Sequence, residues 1–327
     1  MTNTHIRFRL VLVVILLVVD VIAICPERLL AAGAADATKR IVFVVPARQS
    51  HGWSGHAYRA DCKLLAGILN RNVAGVNATV VEGGWPADLS VFDGVAAIVI
   101  ACDGNNLIGA EANWKALDEV ADKGVGIGFI HYALDPGKRY GKYLLDWIGG
   151  YYEQHWSVNP SWQAEFKTLP PHPITRGVEP FTIHDEWYYH MRFRENMEGV
   201  TPILTAVPPD STRRRPDGPH SNNPTVRARK GMPEHVAWAC ERPDGGRGFG
   251  CTGGHSHWVY AHNGFRKLML NALCWIAKVE VPPAGVPTTT PTVEQMEANL
   301  PSNRPKNWTP QRTQEIIDQM NAAGETP

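Results

Sequence analysis

The sequence predicts an α/β domain built on a parallel sheet, and two observations lead there. The first is a series of short apolar, β-branched runs: Ile41-Val42-Phe43-Val44-Val45, Ala96-Ala97-Ile98-Val99-Ile100 and residues 125–130. Strands buried on both faces have this composition. The second is the set of stretches between them that carry apolar residues at helical spacing. Strand and helix in short alternation give parallel strands with helices on both faces.

The elements follow in order. The chain has 327 residues, and residues 1–35 read as a leader. Arg7 and Arg9 precede an apolar stretch over residues 10–24, and small residues up to Ala35 close it. That order is the pattern of a secretory signal peptide, with cleavage expected near Ala34 and export to the periplasm or outside the cell. The apolar stretch is shorter than the ~20 residues of a membrane-spanning helix, and Asp20 interrupts it, so no stable span is expected after cleavage. The domain itself is expected over residues 36–279. Its first strand leads through the polar loop Ser50-His51-Gly52-Trp53-Ser54-Gly55-His56 into a helix over residues 57–70, where Cys62, Leu65, Ile68 and Leu69 recur at helical spacing. Residues 79–81 read as the second strand. Residues 96–100 read as the third, ending in Cys102-Asp103-Gly104. A helix over residues 111–121 is closed by Lys123-Gly124. Residues 125–130 form the fourth strand and end at His131.

The second half is richer in strand, with candidates at residues 164–168, 181–189, 200–207, 235–240 and 247–252. The turn Pro243-Asp244-Gly245-Gly246 joins the last two. A closing helix is expected over residues 264–277. Between Pro208 and Pro233 lies a long loop rich in Pro, Arg and Asn, expected as a lid or an exposed insertion. Its Arg213-Arg214-Arg215 run reads as a solvated face rather than a polyanion site. Residues 280–327 are expected as a Pro/Thr-rich linker and a loosely structured tail, with a short helix near residues 314–320.

Bulk numbers narrow the function. Lys plus Arg and Asp plus Glu are 32 each, so no global field favours nucleic acid or an anionic membrane. After the leader come Cys62, Cys102, Cys240, Cys251 and Cys274, with no C-x-x-C pair. A disulfide framework or zinc knuckle is therefore not expected, and these side chains read as small buried hydrophobes.

Ligands of open α/β sheets sit outside the carboxyl ends of the strands. That rule places His51, His56, Asp103 and His131 on one rim. His131 suits general acid/base chemistry or metal ligation, because imidazole titrates near neutrality; a histidine satisfied by hydrogen bonds at the rim is the alternative. In Gly253-Gly254-His255-Ser256-His257-Trp258, two imidazoles at i and i+2 point to opposite sides of an extended segment, and His255 is the better site residue. By the same alternation, only one of Asp185 and Glu186 faces a given cleft, leaving the other for a salt bridge. Glu153-Gln154-His155-Trp156 joins imidazole to an aromatic surface, a combination that suits a sugar.

These motifs stand in a fixed order: the two-histidine loop, Gly83-Gly84-Trp85-Pro86, Asp103-Gly104, His131, Gly149-Gly150, His172-Pro173-Ile174, Asp185-Glu186 with Tyr188, Val236-Ala237-Trp238 and Gly254-His255. The ordered set, over residues 41–278, resembles the trehalose-utilisation (ThuA-like) family, a branch of the class I glutamine amidotransferase-like superfamily. The resemblance implies a flavodoxin-like three-layer fold with a mostly parallel sheet, and a link to disaccharide or keto-sugar catabolism. Amidotransferases of this superfamily carry a nucleophilic Cys in the sharp turn after the corresponding strand; here the turn carries His131, which disfavours thioester chemistry.

The expectation is therefore an exported enzyme acting on a small carbohydrate through a cleft of histidines and acids. His131, His255, Glu186 and Asp185 would be its catalytic groups. His51, His56, Trp53, Asp103, His155, Trp156, Tyr188 and Trp258 would hold substrate. A divalent metal would take its ligands from His131, His155, His255 and Asp185, zinc-like where imidazole dominates and manganese- or calcium-like where carboxylate does. A non-catalytic sugar-binding module with the same cleft is the competing expectation.

Overall fold

The computed structural model describes Met1, residues 38–49 and residues 51–322. The leader expected over residues 1–35 lies, apart from Met1, outside the described residues. No described helix is long and apolar enough to cross a membrane.

From Thr38 the chain folds as one unit. It runs β1 (Lys39–Val44), α1 (Tyr58–Asn72), β2 (Val76–Val81), β3 (Ala97–Ala101), α2 (Glu111–Ala121), β4 (Gly126–Ile130), α3 (Gly141–Ile148), β5 (Gly150–Tyr151), β6 (Ser161–Phe166), β7 (Phe181–Glu186), β8 (Arg192–Phe193), β9 (Val200–Ala206), α4 (Pro224–Ala228), β10 (Glu234–Glu241), β11 (Arg247–Cys251), α5 (Asn263–Ile276), α6 (Val293–Glu297) and α7 (Pro310–Ala322). Seven strands form the main sheet in the order β2-β1-β3-β4-β11-β10-β9. The first five are parallel, and β10 and β9 continue it antiparallel. This is the flavodoxin-like order, with β11 in the fifth place.

Alternation along β1 explains why both sheet faces are covered. Ile41 and Phe43 enter one core with Leu65, Ile68, Phe265 and Leu268, under α1 and α5. Val42 and Val44 enter the other with Trp114, Leu117, Leu144 and Trp147, under α2 and α3. Successive side chains of a strand point to opposite faces, so a strand buried on both must be apolar throughout. At Gly126 the end of α5 crosses β4 so closely that a Cβ would lie 2.1 Å from the Ile276 carbonyl oxygen.

Three differences from the sequence reading have physical causes. β2 begins at Val76 rather than 79 because its pairing with β1 extends to Lys39. The loop between β9 and β10 is packed, not lid-like: the Arg213 side chain is buried and donates to the carbonyls of Val226, Pro208 and Arg229. The C-terminal tail is docked, because it carries its own apolar side chains. Met296 and Ile317 are buried, and the Trp308 ring stacks on Trp258 at 5.3 Å and meets Trp53 edge-on at 4.9 Å. The five described cysteines are free and buried.

Candidate functional site

The strand order reverses between β1 and β3, which both flank the switch point from which their following loops diverge. The loop after β1 supplies His51 and His56, and the turn after β3 supplies Asp103. His131 follows β4 directly, His255 lies in the loop after β11, and Glu186 ends β7. Five connections converge on one place.

Two of the histidines are held in unusual backbone. His56 has φ 48° and His131 has φ 55°. Non-glycine residues rarely enter this left-handed region, and they concentrate where function over-determines the conformation. At His131 the sharp reversal turns the side chain back over the strand ends.

The ring nitrogens can be assigned from their partners. His131 Nδ1 lies 2.7 Å from the Thr252 carbonyl oxygen. A carbonyl only accepts, so Nδ1 carries the proton and Nε2 presents a lone pair. His56 Nδ1 lies 2.5 Å from Asp103 Oδ1, which leaves the lone pair of His56 on Nε2 as well. These two Nε2 atoms face each other at 3.1 Å. His255 Nδ1 lies 3.3 Å from His131 Nε2 and 3.1 Å from Glu186 Oε2, which is itself 3.5 Å from His131 Nε2. The donor atoms of His56, His131, Glu186 and His255 all lie within 4.8 Å of one another. Ligands at 2.0–2.1 Å around a tetrahedral zinc are separated by about 3.3 Å, so the donor set fits a small divalent ion.

Electrostatics follow from this packing. Burial lowers the His56 pKa to about 4, against the opposing effect of the hydrogen bond that His56 donates to Asp103. Burial would raise the Glu186 carboxyl, but the neighbouring imidazoles of His131 and His255 hold it well below the usual range. His255 is raised: burial opposes its charge, and Glu186 more than compensates. Around the four donors sit two phenols. Tyr188 places its hydroxyl 3.1 Å from His131 Nε2, and Tyr58 donates to Asp103 Oδ1 at 3.0 Å.

The other sequence candidates lie in several places. His51 is exposed and packs its ring 3.8 Å from that of His56. Asp185 is corrected: its carboxylate accepts the backbone N–H groups of Gly254, His255 and Ser256, so it anchors the loop that carries His255, and it forms no salt bridge among the described residues. His155 is exposed and does not join the four donors, so it is also corrected as a metal candidate. Trp156 stacks on His190 at 4.3 Å with the Arg192 guanidinium 3.5 Å over its ring. Trp53 and Trp258 are buried against Trp308 rather than open to a ligand, because the docked tail covers them.

Some residues of this region had no signal of their own in the sequence. The half-buried Tyr132 ring lies 5.8 Å from His56 and 6.4 Å from His220. His220, from the packed insertion, takes its place beside Tyr152 through a 3.2 Å contact of Nδ1 with the phenol oxygen. Asp135 accepts from Gln154 Nε2 at 3.1 Å. Gln49 Nε2 donates to the carbonyls of Gly52, Trp53 and Gly55, which holds the His51–His56 loop in shape.

A family model described as trehalose utilisation, ThuA, matches residues 42–276. The chain belongs to the ThuA family. Two solved ThuA-like structures share the fold of this ThuA protein. One from Bacteroides uniformis has a TM-score of 0.53 at 14% identity, covering 75% of this chain and 94% of its own. One from Parabacteroides merdae has a TM-score of 0.52 at 14% identity, covering 83% of this chain and 98% of its own. The search of curated proteins gives no match. Membership of the ThuA family supports a sugar-related role in general.

Proposed function

We propose that this protein is a metal-dependent enzyme acting on a small carbohydrate, with His56, His131, His255 and Glu186 as the metal ligands. One observation carries the reading: the His56 and His131 Nε2 lone pairs face each other at 3.1 Å while both Nδ1 atoms are committed to acceptors. Two lone pairs at that distance call for a cation between them. The outer partners, Thr252 carbonyl and Asp103 carboxylate, are of the kind that orient metal-bound imidazoles. Three imidazoles and one carboxylate favour zinc or a first-row neighbour over calcium or magnesium.

A bound divalent ion would act as a Lewis acid toward a sugar oxygen. The protein's own groups do the rest. Asp103 fixes the His56 ring, and Asp185 fixes the loop bearing His255. The Tyr188 hydroxyl, beside the donor set, gives or takes a hydrogen bond with a substrate oxygen. Tyr132 offers a ring face to sugar C–H groups, and His220 and Gln154, the latter held by the buried Asp135, offer hydrogen-bonding groups to its hydroxyls. No Cys-dependent amidotransfer belongs to this reading, since His131 occupies the turn after β4.

Elemental analysis of the purified protein, with turnover of a panel of oxidised and unmodified disaccharides, tests the proposal. The expected result is about one divalent ion per chain, lost together with turnover in His131→Ala and His255→Ala. A metal-free protein with unchanged turnover in both variants overturns it, and tight sugar binding without product supports the binding-module reading. We also propose export, on the basic, apolar and small-residue order of residues 1–35. N-terminal sequencing of the protein recovered from the producing cell should begin near Ala34; an intact Met1 counts against it.

A further inference from the structure

The docked tail does more than cover tryptophans. Between the loop after β1 and residues 299–303 lies a cleft of about 440 Å³, lined by Arg48, Arg59, His56, Asn299, Ser302 and Asn303 among others. That volume is in the range of small-ligand sites. His56 is shared between this cleft and the four-donor cluster, so the two spaces meet at one imidazole. The tail wall is fixed at several points. Trp53 Nε1 donates to the Pro301 carbonyl at 3.1 Å, the His257 ring bonds the Met296 carbonyl at 2.7 Å, and Trp308 stacks on Trp258.

The lining sets two guanidinium groups and several side-chain amides among apolar surface from Pro46, Ala47 and Pro301, and its charged groups are cationic. No carboxylate among the described residues lines the cleft. Arg59 pairs with Glu82 at 3.0 Å, but Glu82 is also taken by Lys63 at 2.6 Å, so one carboxylate serves two cations. Arg48 is exposed and makes no ion pair among the described residues. In a chain of zero net charge this is a local positive excess, beside side-chain amides and a hydroxyl that suit a sugar. Guanidinium groups match carboxylate and phosphate oxygens in geometry as well as charge.

We propose that this cleft binds an oxyanion carried on the sugar ligand, a carboxylate or a phosphate, with Arg48 as its principal contact and the C-terminal tail as its far wall. The inference rests on the sugar-directed reading above but not on the metal. Titration calorimetry on the full chain lacking only the leader, with glucuronate, glucose 6-phosphate and glucose, tests it. At least one of the two anionic sugars should bind tenfold or more tighter than glucose, and which one does so identifies carboxylate or phosphate. Raised salt should weaken that binding. Arg48→Gln should bring the anionic sugar to within threefold of glucose, and Asn303→Asp, which adds a carboxylate to the tail wall, should weaken it about tenfold. Equal affinity for glucose, absence of binding to all three, or a preference that survives Arg48→Gln overturns the proposal. The same titration in His131→Ala separates it from the metal reading: a retained preference supports the cleft even if the metal assignment fails, whereas a lost one places the oxyanion at the histidine cluster and overturns the cleft.

Discussion

Asp103 shows how much of the site depends on residues that touch no ligand. Its carboxylate holds the His56 proton on Nδ1 at 2.5 Å and also accepts from Tyr58. Asp103→Asn replaces an ionised acceptor with an amide, which can still accept through its oxygen but no longer attracts the Nδ1 proton by charge. Outer partners of metal-bound histidines are worth about 10–100-fold in affinity. Competition with a chromophoric chelator should therefore show metal binding weakened by that factor, with the far-ultraviolet spectrum unchanged; unaltered affinity would mean Asp103 does not orient a ligand. At this scale the sequence was partly legible. His131 and the rim acids could be placed because strand ends are visible as the points where apolar runs stop. The choice of Glu186 over Asp185 could not, since alternation says that the two diverge and not which one meets an imidazole. Asp185 faces three backbone N–H groups from a loop some seventy residues away in sequence, a pairing no local pattern reports.

Among the elements, α5 carries a pH dependence that can be separated from the site. Its N-cap is His262, whose Nδ1 accepts the N–H of Phe265 at 3.1 Å and must be unprotonated to do so. Burial, with the charge of Arg266 adding to it, lowers its pKa from 6.5 to about 4. The unfolded chain therefore takes up this proton near pH 6.5 and the folded chain only near pH 4. Between those values the unfolded state binds more protons, so stability rises with pH and falls on acidification. The contribution is complete above pH 6.5, and between pH 6.5 and 5 roughly 2 kcal/mol of it is lost, at about 1.4 kcal/mol per pH unit. His262→Asn keeps an N-cap acceptor that does not titrate. Urea unfolding at pH 7.5 and 5 should show the variant losing about 2 kcal/mol less than the parent; equal losses would assign the acid limb elsewhere. The helix itself was readable from Phe265, Leu268 and Trp275 at helical spacing. Of the tail, only a short helix near 314–320, within α7, was readable; α6 and the docking were not, because their anchors are single apolar residues in a polar, proline-rich background, and Trp308 finds its partners at Trp53 and Trp258 only once the whole chain is folded.

For the whole molecule, the proposed metal site adds a further tie between segments distant in sequence, beside backbone bonds such as His56 N–H to the His255 carbonyl at 2.8 Å and the Asp185 contacts to the His255 loop. His56 and His255 stand at opposite ends of the domain sequence, with His131 and Glu186 between them. In the unfolded chain these four donors are dispersed, so an ion binds the native state almost exclusively and stabilises it by mass action. With free metal at a hundred times its dissociation constant, the gain is about 2.7 kcal/mol. For a domain somewhat above 250 residues, each kcal/mol moves the thermal midpoint by about 2 °C. Stripping the metal with a chelator should thus lower Tm by roughly 5 °C, and adding back zinc in excess should restore it. His131→Ala removes the donor that lies within 3.5 Å of each of the other three, so its Tm should be lower than that of the loaded parent and indifferent to the chelator. Glu186→Gln should keep a reduced response, since three imidazoles remain. A parent whose melting is unaffected by chelation, while elemental analysis finds the ion removed, would place the ion away from this cluster, because an ion held by strands β1, β4, β7 and β11 through their ends cannot leave without loosening their mutual attachment.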